Sequence, residues 1–213
     1  NPILSTHMIA AIGIGIGASM SMVTVNDRLS MNPRPQKSAV LHYVRLDSWS
    51  ADFPFNEGRN PPNMLTYRDA TTLLAAKRAF RQVAMSRASL AVEPPGRDER
   101  PFFVDVRATS GDFFAMFDVP FKYGGVWPEE ADSANEQVVV LGAETNDRVF
   151  GGENSVGRTL TLSGANYRVV GVVDQWEPIP RFYDTTNGPI NETEDIFIPF
   201  SLIAAKELPR SGN

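Results

Sequence analysis

EQVVVLGAETNDRVFGGENSVGRTLTLSGANYRVVGVVD, residues Glu136 to Asp174, carries the densest run of local structure signals in the chain. Gln137 to Leu141 is rich in β-branched valine and predicts a strand. Glu144 to Phe150 predicts a short helix, stopped by Gly151 and Gly152, because glycine takes up the left-handed conformation that ends a helix without steric cost. Thr159 to Leu162 and Tyr167 to Val173 read as the strands of a hairpin whose four central residues are Ser163, Gly164, Ala165 and Asn166. Strand, short helix and hairpin in this order describe a mixed α+β domain and not a doubly wound sheet.

The flanking sequence extends that pattern. Phe102 to Ala108 alternates, which puts Phe102, Val104, Val106 and Ala108 inward and Asp105 and Arg107 outward. Phe80 to Val92 drifts to the same period, with Ala84, Ser86, Ala88, Leu90 and Val92 on one face, and is halted by Pro94, Pro95 and Gly96. Ser110 is expected to cap a helix over Gly111 to Phe117 that groups Phe113, Phe114 and Phe117. Thr66 and Asp69 have capping-box spacing and predict a helix from Tyr67 to about Arg78. Ala39 to Leu46 reads as a first strand and Asp195 to Phe200 as a last one, while Pro54, Pro61 and Pro62 make residues 47–63 a long loop.

All 45 charged residues lie after position 26. The remaining 187 residues are therefore about a quarter charged, as in ordinary water-soluble domains. A net charge of -5 excludes a phosphate-binding face of the size nucleic acid demands, so no nucleic-acid partner is expected. The absence of cysteine removes disulfides, thiolate metal sites and thiol nucleophiles together.

Met8 to Val25 has no ionisable side chain, and as a helix it extends about 27 Å, close to the hydrocarbon thickness of a bilayer. It is read as a membrane span lying in the lipid bilayer. A signal peptide would carry a basic leader, which Asn1 to His7 lacks. The glycine spacing Gly13, Gly15, Ala18 fits a dinucleotide fingerprint only formally, since no acidic residue stands near position 35. Three glycines also make a poor water-soluble core helix. Gly13, Gly17 and Ser21 form a stripe of small residues on which a second helix could pack. Arg28, Arg34, Lys37 and Arg45 follow the span, a flank that the positive-inside rule associates with the cytoplasm, although the rule compares two flanks.

Chemistry has few carriers. His7 lies in the apolar segment and His42 in the expected first strand, neither beside a nucleophile motif. The acidic clusters Asp98 and Glu99, Glu129 and Glu130, and Glu192, Glu194 and Asp195 sit in apparent loops without the alternating oxygens of a calcium loop. No phosphate-binding glycine loop is present, so no nucleotide or other cofactor is expected on this chain. Phe121, Tyr123 and Trp127 follow Pro120 and flank Gly124 and Gly125, which marks a candidate partner-contact tip.

AIGIGIGASMSMVTVND, SGDFFAMFDVPFKYGGVW, the 39-residue stretch from Glu136 to Asp174 and EDIFIPF together resemble the MacB-like permeases of the FtsX superfamily, the membrane subunits of type VII ABC transporters. The resemblance implies a transmembrane helix and flanks at 1–29 and the first part of a porter-like α/β subdomain at 30–83. It further implies an inserted β-rich, Sabre-like subdomain at 84–175 and a return toward the porter-like part at 176–213. It implies a non-catalytic domain outside a bacterial inner membrane, with ATP hydrolysed by a separate ABC ATPase subunit whose motion is transmitted to export or extract a substrate. The implied partners are that ATPase, a second permease copy or paralogue, and a periplasmic adaptor protein. Such permeases continue with a strand, a helix and three further membrane helices, so the chain is expected to be part of a longer polypeptide. A ligand-sensing receptor domain is the alternative with the same layout, and a hydrolase using Glu129, Glu130, Glu192 and Glu194 is the third reading.

Overall fold

The computed structural model describes residues 2–30, 35–96, 100–184, 186 and 193–208. The elements are α1 (Pro2–Ser30), a 3-10 turn (Phe55–Gly58), α2 (Tyr67–Ala75), β1 (Met85–Glu93), β2 (Phe102–Thr109), α3 (Asp112–Phe117), β3 (Phe121–Gly124) and α4 (Glu129–Ser133). They continue with β4 (Val138–Leu141), α5 (Ala143–Phe150), β5 (Thr159–Leu162), β6 (Ala165–Val173), β7 (Ile196–Pro199) and α6 (Leu202–Ala205). The chain forms two compact units, Asn1–Tyr43 with Pro178–Asn191, and Val44–Glu177 with Glu192–Asn213. The first holds α1; the second, called the body below, holds every strand among the described residues.

The seven strands of the body run β3-β6-β4-β7-β2-β1-β5, and β5 also pairs with β6. Six strands thus close into a ring. β6 borders β4 along one edge, while β5 and then β3 occupy its other edge. β2 with β7 and β4 with β6 are parallel, and the remaining pairs are antiparallel. A small closed sheet has an interior that side chains alone can fill. Val106, Leu141, Leu162, Ile196 and Tyr167 fill it here, all essentially removed from water. Burial also pushes the Tyr167 phenol above its usual range.

β4 (VVVL) and β7 (IFIP) are buried along their whole length. The continuous apolar runs reflect two covered faces, where an alternating run would have one. On the outer face Phe197 meets Phe113 and Phe114 of α3, at 5.5 Å and 5.3 Å between ring centroids. Phe113 also packs edge-on against Phe117 at 5.0 Å and Trp176 at 5.9 Å. Edge-to-face pairs of this kind each contribute about 0.5–1.5 kcal/mol beyond the area they bury. α5 closes one opening of the ring through Phe150, with Gly151 in the left-handed conformation (φ 65°) ending the helix where the sequence places the stop.

Several expectations need correction. Residues 39–46 form no strand: all of them are exposed or half-exposed, and none finds a pairing partner in the sheet. Apolar composition suits a strand only where an edge is free to receive it. α2 stops at Ala75 because the Gln82 amide donates to the carbonyls of Leu73 (2.9 Å) and Leu74 (3.3 Å), the acceptors of the next turn. Ser110 does not cap α3; its hydroxyl donates to the Gln82 carbonyl, and Gly111 holds the cap position. The hairpin turn has two residues and not four, since Ser163 (φ 47°) and Gly164 (φ 79°) make both left-handed positions of a type I′ turn and Ala165 already pairs with Leu162. Arg107, expected outward into solvent, is 4% exposed and buried against Glu194.

Candidate functional site

α1 rises about 43 Å over its 29 residues, and the stretch Pro2–Asp27 is long and apolar enough to cross a membrane, with none of it buried. Several of its polar side chains bond back to the helix. Thr6, Ser21 and Thr24 donate to the carbonyls of Pro2, Gly17 and Met20, at 2.9, 2.9 and 2.8 Å. His7 Nδ1 bonds the Ile3 carbonyl at 2.7 Å. In hydrocarbon an unbonded hydroxyl would cost several kcal/mol, so this back-bonding suits lipid. A methyl group added at Gly13 or Gly17 would meet nothing within 4 Å. The stripe of Gly13, Gly17 and Ser21 is therefore open along the helix.

The other residues singled out by the sequence separate. Trp127 is 2% exposed, packs edge-on against Phe114 at 5.5 Å and donates its indole N–H to Asp132 at 3.4 Å. It is an interior residue and not part of an exposed tip. Phe121 leans on Phe114 at 5.1 Å and is half-buried, as is Tyr123, which carries the Lys122 ammonium 5.5 Å from its ring centre. The turn after Pro120 drives these rings inward because β3 is attached to β6 and covered by α3.

The acidic clusters do not converge either. Glu129 is exposed and pairs with Lys77 at 3.2 Å, whereas Glu194 is fully buried with Arg107, whose Nε donates to it at 2.9 Å. Asp98, Glu99 and Glu192 lie outside the described residues. His42 stands exposed in the irregular segment before α2. Among the described residues no three His, Cys, Asp or Glu side chains come together as a metal site would need.

The pairing of Arg107 with Glu194 and the burial of Asp132 escape sequence reasoning. Arg107 and Glu194 tie β2 to the approach of β7, and Asp195 accepts from the Asp105 amide at 2.6 Å beside them. The signal was Arg107's place opposite Arg87 on the paired strand, a like-charge pairing that calls for a carboxylate from elsewhere. Asp132 on α4 accepts from Gly111 N and Trp127 Nε1, both at 3.4 Å, while its other oxygen is buried without a partner, as is the Ser201 hydroxyl.

Burial, reinforced by the charge of Glu129, pushes the Asp132 carboxyl above the usual carboxylate range against the lowering effect of its hydrogen bonds. A carboxyl raised on folding takes its proton in the folded state first. Stability then falls as pH climbs from about 4 through the raised value, and the loss persists above it. Asp132→Asn removes that loss, so the variant is expected to gain on the wild type between about pH 4 and pH 7. Melting temperatures at the two pH values check this; a constant difference between the proteins would refute it.

A membrane-capable apolar helix is followed along the chain by a closed, tightly packed body, the layout of a membrane-anchored domain. The family described as MacB-like periplasmic core domain matches residues 5–212, and the chain belongs to that family, a domain of ABC transporter permeases. Domains of this family are non-catalytic parts of transporters. No curated protein matches the sequence. Among solved structures, the periplasmic region of MacB from Actinobacillus actinomycetemcomitans is similar in fold, with a TM-score of 0.51 at 19% identity over 71% of this chain and 63% of that one. The extracellular domain of the noncanonic ABC-type transporter YknZ from Gram-positive bacteria gives 0.49 at 12% identity, over 67% and 66%. A domain of a permease protein from Porphyromonas gingivalis gives 0.40 at 14%, over 61% and 52%. The chain thus spans just under two thirds of the first two.

Proposed function

We propose that this chain is the outward-facing part of a permease that converts ATP-driven movement of membrane helices into displacement of a substrate outside the inner membrane. ATP is hydrolysed on a separate ABC subunit, and a second permease copy or paralogue completes the assembly, with a periplasmic adaptor as a further partner. The observation that carries the reading is the family match, which runs without interruption from the apolar helix through the closed body. A rigid body suits a lever, since a domain that deformed under load would dissipate the motion it receives. The open stripe at Gly13, Gly17 and Ser21 suits a helix that shifts against a neighbour. The receptor reading is not favoured, because this family belongs to transporters.

The full polypeptide, expressed in a bacterial cell, is expected to stay in the membrane pellet after carbonate extraction. Its body should be cut by protease added to spheroplasts and protected in inside-out vesicles. Purified in detergent, it should bring down an ATP-binding cassette subunit whose ATP hydrolysis falls when Gly13→Leu and Gly17→Leu are combined. Protection in spheroplasts, or ATPase activity indifferent to both substitutions, would contradict the reading.

A further inference from the structure

Between α2 and β1, residues 76–81 read AKRAFR and are exposed throughout. Phe80 is 94% exposed, the highest value of any large apolar side chain among the described residues. A single exposed apolar side chain is common on protein surfaces. This one is braced. Gln82 accepts from the Ala79 amide at 3.0 Å, donates to the end of α2 and gives its own amide to Asp112 at 3.2 Å. Lys77 takes a left-handed backbone (φ 45°) and ties back to Glu129 at 3.2 Å. The loop is held out from the body with its ring at the tip.

Charge accompanies the ring. Arg68, Arg78 and Arg81 are exposed and make no ion pair among the described residues, and the Arg81 guanidinium lies 5.1 Å from the Phe80 ring centre. Arg78 and Arg81 lie within two residues of the ring, on a chain whose net charge is -5. Asp112 and Glu129 meet the same loop through the Gln82 backbone amide and the Lys77 ammonium, which leaves Arg78 and Arg81 as its cations without an ion pair among the described residues. A projecting ring flanked by arginines fits a soft surface that admits a ring anywhere, whereas a protein partner would need a matching pocket. Anionic headgroups attract each nearby cation by about 1 kcal/mol, and an aromatic ring settles at the headgroup level.

We propose that the Phe80 loop is a membrane-touching element, in which Arg78 and Arg81 meet lipid phosphates and Phe80 enters the headgroup layer. The surface it takes is an anionic phospholipid leaflet. The proposal rests on the reading of α1 as a membrane span, because a tether raises the local lipid concentration enough for a weak contact to be occupied.

The chain has no cysteine, so Ala79→Cys provides a single labelling position beside the ring. The full chain, labelled there with an environment-sensitive dye, is reconstituted in vesicles of phosphatidylcholine alone or with about a third phosphatidylglycerol. A blue shift is expected in the anionic vesicles, reversed by about 0.5 M salt. The lipid-exposed fraction should drop at least about tenfold with Arg78→Glu and Arg81→Glu combined, and fall with Phe80→Ala. Identical emission in both vesicle types while carbonate extraction retains the chain would overturn the proposal and leave the span intact. A shift that arises only on adding another protein would overturn it in favour of a protein partner. A shift that persists although carbonate releases the chain would uphold the loop and remove the span.

Discussion

Truncating Glu194 to alanine is expected to destabilise the body by about 3–5 kcal/mol, the range observed when one partner of a buried ion pair is lost. The side chains of Arg107 and Glu194 are 4% and 0% exposed, so neither charge can turn to water when the other disappears. Arg107→Ala should cost a similar amount through the orphaned carboxylate. The double replacement Arg107→Met with Glu194→Leu should return most of the loss, since removing both charges also removes the desolvation penalty. Urea unfolding of the full chain in detergent, followed by tryptophan fluorescence, measures all three. Equal destabilisation by the double and single variants would mean that packing, and not charge, is what these residues supply.

Phe113→Ala should cost about 3–5 kcal/mol, because a fully buried ring is replaced by a cavity. Phe113 is the residue that Phe114, Phe117, Trp176 and Phe197 share. Its loss leaves Phe114 to join α3 to Phe197 of β7 and strips Trp176 of a ring partner on α3, so the near-ultraviolet dichroism of Trp176 should weaken along with the melting temperature. Phe113→Leu keeps most of the volume and should cost less than about 1.5 kcal/mol beyond the lost ring contacts. A small change with alanine would show that α3 can relax onto the sheet and that the cluster is loosely packed.

Local signals are legible in the chain and long-range ones are not. The valine run at Val138–Leu141, the glycine stop at Gly151 and the strands around Gly164 are each decided by a few neighbouring residues. The turn is shorter than composition suggests because Ala165 and Asn166 have no strong strand preference of their own; the two left-handed residues fix the register. Residues 39–46 look like a strand by composition, yet pairing is a property of two segments and no partner edge is present in the sequence pattern. Alternation points Arg107 outward, and alternation is blind to what covers the outer face. The glycine neighbours of Trp127 suggest an exposed tip, while Asp132, which draws the indole inward, sits five residues on. The family resemblance supplies what spacing alone does not, namely that the apolar helix and the body belong to one recognisable stretch of chain.

β7 lies between β4 and β2, the middle of the strand order, although it is the last in sequence of the strands among the described residues. Without it the halves β1-β2 and β3-β4-β6 are joined only by β5, which meets β1 at two residue pairs, Val92 with Leu162 and Glu93 with Thr161. A polypeptide emerging from the ribosome, or threading through a translocon, therefore cannot complete this sheet until residues 196–199 arrive. Long sequence separations of this kind slow folding and prolong the exposure of sticky intermediates. Chaperones at the exit side would meet a two-part, half-finished object, and dependence on them should be greatest for variants that weaken the final insertion.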